Sequence, residues 1–291
     1  MSKTRRKTDG GTFAADGQND RAKVISIPVS QEIVRDLPLP LQMRDPSILP
    51  SRANLIAASA LEGKADPNFV LTAEMKVSSD GGSLRLMSGA SGHETGWFPS
   101  WKRKRLQHWE GMTQLYTLLK AECDHDVLWA QSEARRFCFM LDGRWREYTC
   151  DVEIMMADGT RRIIENKADE RSLRDPDYRL TLAGVHEICR RVGFQFEVVM
   201  ADEVFVDRHH RDNIELFAGR AFTTVTPKHL RTIDAFAAKE GDVTTYGAMA
   251  ALLEPDFPPL GKAVMQALCV RRKLEIDLTG HLSDRTLVKI H

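Results

Sequence analysis

No excess of either charge marks this chain. Across 291 residues, 41 lysines and arginines balance 41 aspartates and glutamates. A global attraction to polyanions is thereby excluded, and a nucleic-acid partner would have to be held by local basic patches. CxxC pairs are also missing. The five cysteines, Cys123, Cys138, Cys150, Cys189 and Cys269, are odd in number and scattered. That pattern excludes a disulfide framework and a zinc site built on cysteine pairs, and it points to a reducing compartment. No run approaches the roughly 18 apolar residues of a membrane span. Polar, charged residues follow Met1 where a signal peptide would have its apolar stretch. No internal repeat is present. The expectation is a cytoplasmic protein with no membrane partner.

What is there is ordinary in bulk. Apolar residues make up 42% and charged residues 28%, enough for about two domains with a sizeable core. Residues 1–50 are rich in Gly, Asp, Lys and Arg and then in Pro, which predicts a disordered, flexible arm. Residues 51–95 form a poorly defined extension with a loop at Ser78–Ser83 and a short strand at Leu84–Met87. From 96 to 222 the signal sharpens. A helix is predicted over His108–Ala121, with Trp109, Met112, Leu115, Tyr116 and Leu119 on one stripe. A strand over Ala134–Leu141 follows, then a hairpin, a helix over Pro176–Val192 and a strand over Phe194–Met200. The order α-β-β-β-α-β predicts an α+β domain with one mixed sheet flanked by helices. Residues 223–291 predict three helices, His229–Lys239, Thr245–Leu253 and Pro258–Lys273, then strands Leu274–Leu278 and Thr286–Ile290. Three helices and a hairpin are the pattern of a winged helix-turn-helix.

The hairpin carries the chemistry. Tyr148–Met156 and Thr160–Lys167 are two β-rich runs around Ala157-Asp158-Gly159. Their far ends bear Asp151, Glu165 and Lys167. Glu165 and Lys167, two apart on a strand, share a face. A two-residue turn would pair Asp151 with Asn166, on the wrong face. A three-residue loop with Gly159 in a left-handed conformation pairs Asp151 with Glu165. In that register the two carboxylates could hold Mg²⁺ or Mn²⁺ on oxygen ligands, with the ammonium of Lys167 alongside. That equipment suits hydrolysis of a phosphodiester. The same residues also suit a solvated hairpin end.

Asp151, Glu165 and Lys167 resemble the PD-(D/E)xK nuclease signature, with Cys150 standing where that family has Pro. Further residues lie in order upstream: Gly96-Trp97-Phe98-Pro99-Ser100-Trp101-Lys102, His108-Trp109-Glu110, Gln131 and Asp142-Gly143. Together they resemble the nuclease domain of the TnsA family, the endonuclease subunit of Tn7-like transposons, over about residues 96–202. The winged-helix unit resembles that family's C-terminal domain. The resemblance implies a restriction-endonuclease-like core and Glu110 as a further site acid and metal ligand at the start of the first helix. It also implies DNA cleavage at 5′ transposon ends, beside a DDE transposase and an AAA+ regulator docked on the C-terminal domain. On a helical wheel Glu110 lies off the apolar stripe, where a solvated glutamate would also lie. Gln131 reads equally as a site residue or as a polar residue before a strand.

Three basic clusters remain: Lys3, Arg5, Arg6 and Lys7; Lys102–Arg105; and Arg271–Lys273. Each reads either as a phosphate contact or as a solvated face. Glu240, Asp242, Glu254, Asp256, Glu275, Asp277 and Asp284 balance the last cluster, which favours a protein partner over DNA for the C-terminal unit. Two rival functions stay open: a restriction or repair nuclease with the same core, and a non-catalytic DNA-binding adaptor.

Overall fold

Short apolar runs broken by turns give strands through the middle of the chain, and a computed structural model arranges them in four sheets. It describes residues 72–78, 80–84, 94–141, 143–205 and 207–291, and the main chain of 22–27. The first strands are β1 (Ala22–Ile27), β2 (Thr72–Ser78), β3 (Thr95–Ser100) and β4 (Arg105–Glu110), followed by helix α1 (Met112–Cys123). Next come β5 (Val127–Ser132), β6 (Arg135–Leu141), β7 (Arg144–Thr149), β8 (Val152–Met156) and β9 (Arg161–Lys167). Helix α2 (Pro176–Arg191), β10 (Phe194–Met200), the single turn α3 (Ala201–Val204) and α4 (Arg208–Arg220) complete the first part. The rest holds α5 (Pro227–Glu240), β11 (Val243–Thr245), α6 (Tyr246–Leu253), α7 (Pro258–Val270), β12 (Leu274–Glu275) and β13 (Leu287–Ile290). The fold is mixed, with helices and several sheets, in keeping with an α+β protein.

The single mixed sheet expected for the first domain is two sheets of four, ordered β1-β2-β6-β7 and β10-β9-β8-β5. In the second only β9 and β10 run parallel. The run Tyr148–Met156, read as one strand, passes from one sheet to the other at Cys150-Asp151. Its partner run makes the same passage at Glu133-Ala134. The Cys150 N–H donates to the Arg135 carbonyl at 3.0 Å, and the Glu133 N–H donates to the Asp151 carbonyl at 2.9 Å. Ala134 is left without a partner opposite. This one-residue bulge turns both strands together, and Glu133 takes a left-handed φ of 48° to do so.

Other differences have local causes. The first helix begins at Met112, not His108. His108–Glu110 pair instead with Thr95–Trp97 in the β3–β4 hairpin, and Gly111 at φ 80°, ψ 148° separates strand from helix. The buried stripe is therefore Tyr116, Leu118 and Leu119, while Met112 is largely exposed. Ala22–Ile27, in the arm expected to be flexible, pair with β2. Residues 85–87 of the expected strand Leu84–Met87 and the cluster Lys3–Lys7 lie outside the described residues, and Leu84 is a bend rather than a strand. Helix α4 was not anticipated, because its first turn is Arg208-His209-His210-Arg211 and only Asn213, Ile214, Phe217 and Ala218 are buried.

Two hydrophobic clusters hold these layers. One lies under α2 and includes Phe137, Phe139, Ile163, Leu182, Val185 and Phe196. The other runs from Phe98, Tyr116 and Leu119 through Ile214 and Phe217 to Met265, Leu268 and Val288. Residues of both expected domains thus share one core, with α4 packed between α1 and α7. No described helix is long and apolar enough to cross a membrane.

Candidate active site

The hairpin register decides which side chains meet. The Met156 N–H donates to the Thr160 carbonyl at 2.9 Å, closing a three-residue loop in which Gly159 takes φ 90°. Val152 then faces Ile164 and Glu153 faces Ile163, so Asp151 stands opposite Glu165. Ile163, on the same face as Glu165 and Lys167, packs in the cluster under α2, so all three candidate residues face that side.

At Asp151 the strands part, and its carboxylate takes over the pairing: Oδ2 accepts the Asn166 N–H at 2.6 Å. Glu165, 3% exposed, is held from three directions. Its Oε2 accepts the Tyr148 hydroxyl at 2.5 Å. Its Oε1 accepts the Tyr178 hydroxyl at 2.5 Å and lies 2.5 Å from Lys167 Nζ. The ammonium also sits 4.8 Å from the centre of the Tyr178 ring.

The electrostatics follow from crowding. Burial first, and then the charge of Glu165, push the Asp151 carboxyl well above the usual carboxylate range, against the pull of Lys167 and the Asn166 N–H. Burial, and then Glu165, also push the Tyr148 and Tyr178 phenols up, so both remain hydrogen-bond donors. Two acids thus face one ammonium in a dry corner. A divalent cation between them would remove the repulsion, and two carboxylates with water or phosphate oxygens are an ordinary ligand set for Mg²⁺. The donor set fits that ion.

Glu110 is placed differently from the expectation. It ends β4 rather than opening a helix, and its N–H donates to Gln114 Oε1 at 2.6 Å. Gln114 Nε2 in turn donates to the Asp151 carbonyl at 2.7 Å. One side chain therefore ties the main chain of Glu110 to that of Asp151. Among the described residues, no group of three His, Cys, Asp or Glu side chains is arranged to hold a metal ion, so Glu110 does not complete such a group. Gln131 lies inside β5, buried, where its Oε1 accepts the Arg103 Nε–H at 3.1 Å. It pairs with Glu153, which Arg135 and Arg161 neutralise.

Sequence reasoning passed over Tyr148, Tyr178 and Gln114. Tyr178 had a signal, since it extends the apolar face Leu182, Val185 and Cys189 of α2 toward the strand ends. Tyr148 was quoted with the hairpin but had no reason to be singled out.

The basic clusters are mostly occupied by protein. Lys102 Nζ donates to the Ala121 carbonyl at 3.0 Å, Arg103 donates to the Gly81 carbonyl at 2.5 Å, and Arg105 to the Asp80 carbonyl at 2.9 Å. Arg271 donates to the Thr223 carbonyl at 2.7 Å and Arg272 to the His125 carbonyl at 2.6 Å. Helix α7 stops at Val270, so these arginines lie beyond it rather than on it. Comparison with protein-family models and with curated proteins finds no match.

Proposed function

We propose that the protein is a metal-dependent DNA endonuclease of the TnsA kind, with a restriction-endonuclease-like core and a C-terminal winged helix. The observation that carries this reading is the meeting of Asp151, Glu165 and Lys167 on one face where β8 and β9 part. Asp151 and Glu165 would hold Mg²⁺ or Mn²⁺. When bound, such an ion polarises a phosphodiester and lowers the pKa of a water. Lys167, fixed beside Glu165, donates to the attacking water or to a phosphoryl oxygen as charge develops there. The water oxygen bonds to phosphorus and gives up one proton, one P–O ester bond breaks, and the leaving oxygen takes up a proton, so the step is a net addition of water.

Cleavage at the 5′ ends of a transposon, beside a DDE transposase, follows from the resemblance and belongs to the same proposal. An AAA+ regulator would dock on the C-terminal domain. The tethering of Arg271 and Arg272 to main-chain carbonyls supports a protein-facing role there. A transposase gene directly downstream would favour transposition over restriction or repair.

The test is nicking of supercoiled plasmid by the full chain in Mn²⁺, with and without the transposase encoded beside it. Wild type should nick, while Asp151→Ala, Glu165→Ala and Lys167→Ala should not. Nicking by Glu165→Ala at the wild-type rate would remove the assignment.

A further inference from the structure

The two tyrosines on Glu165 are not equivalent. Tyr148 lies on β7, 7% exposed, with its ring against Phe137 and Phe196 at centroid distances of 6.1 and 6.2 Å. It holds the inner oxygen, Oε2. Tyr178 lies on the first turn of α2, only half-buried. It shares the outer oxygen, Oε1, with Lys167, whose side chain is 21% exposed. A carboxylate oxygen has two lone-pair sites, and both on Oε1 are already taken. A cation arriving from the open side must displace one of those donors.

We propose that Tyr148 is a positioning residue for Glu165 when metal is bound, while Tyr178 is a latch that occupies the ligand oxygen until metal arrives. The inference rests on the nuclease reading and deepens it by giving the site a metal-free resting state of its own. Tyr148 keeps the carboxylate turned outward in both states. Tyr178 competes with the ion, and Lys167, carried on its ring, shifts with it. Removing a buried partner of a metal ligand weakens metal binding by about 10–100-fold. Removing a competitor does the reverse.

The experiment is calorimetric titration of Mn²⁺ into the metal-stripped full chain, without DNA, for wild type, Tyr148→Phe and Tyr178→Phe. Both substitutions keep the ring, and thermal melting checks the fold. Wild type should bind one ion, Tyr148→Phe should bind it about 10–100-fold more weakly, and Tyr178→Phe more tightly than wild type. The Tyr178→Phe result stands alone if Tyr148→Phe fails to fold. Unchanged or weaker binding by Tyr178→Phe overturns the latch, and unchanged binding by a folded Tyr148→Phe overturns the positioning role. Wild type that binds no Mn²⁺ removes the nuclease reading, and this inference with it.

Discussion

At the scale of single residues, the site is stability withheld from the fold. The folded-state pKa of Asp151 is raised above its unfolded value by burial and by Glu165. Such a group contributes stability that is present at low pH and lost as pH rises through the folded pKa. Metal-free protein should therefore lose stability from the ordinary carboxylate range upward. Asp151→Asn removes that loss and keeps an oxygen to accept the Asn166 N–H. It is expected to raise the Tm of the metal-free chain at pH 7, while Mg²⁺ should no longer raise its Tm as the account expects for wild type. Calorimetry in EDTA checks the first part, and a variant that melts below wild type at pH 7 contradicts it. Strand periodicity put Glu165 and Lys167 on one face in the sequence, while Asp151 joined them only in the three-residue-loop register. The donors around Glu165 were not legible, since Tyr148 arrives from another sheet and Tyr178 from a helix. Glu110 was expected to open a helix and instead ends β4, since His108-Trp109 before Gly111 carries no pattern that separates a strand from a first turn.

At the scale of elements, loop length and close approach do the positioning. Deleting Ala157 would leave Met156 facing Thr160 across a two-residue Asp158-Gly159 loop, so Asp151 should stay opposite Glu165. Mn²⁺ binding should therefore be kept. Loss of Mn²⁺ binding by a folded deletion variant would mean that the register alone does not build the site. A second element contact is tighter. A Cβ on Gly261 of α7 would stand 2.0 Å from the Ala250 carbonyl oxygen of α6. That neighbour is main chain and cannot turn aside. Gly261→Ala should cost about 1–3 kcal/mol or more, seen as a lower Tm, and a neutral result would show that the α6–α7 crossing is looser than described. Apolar patterning made α2, α5, α6 and α7 readable to within a few residues. The passage of two strands between sheets was not, because the bulge at Ala134 is set by pairing between residues distant in sequence.

At the scale of the whole molecule, the shared core around α4 makes the C-terminal unit a structural support of the first part. Arg271 and Arg272 are held by the carbonyls of Ala221, Thr223 and His125. Arg271→Ala and Arg272→Ala should therefore lower the Tm of the full chain and leave the salt dependence of DNA binding unchanged. A phosphate contact would instead reduce the slope of log K against log salt by about one per residue. Composition suggested a weak DNA reader here by balancing acids against bases, and both arginines donate to main-chain carbonyls.

The most direct test of the central claim is Mn²⁺-dependent nicking of supercoiled DNA by the full chain, with a DDE transposase partner supplied, comparing wild type, Asp151→Asn and Lys167→Ala. The account predicts nicking by wild type and at least a hundredfold loss in both variants, about 3 kcal/mol of transition-state stabilisation. Equal nicking by wild type and Asp151→Asn, or none by any of the three, would contradict it.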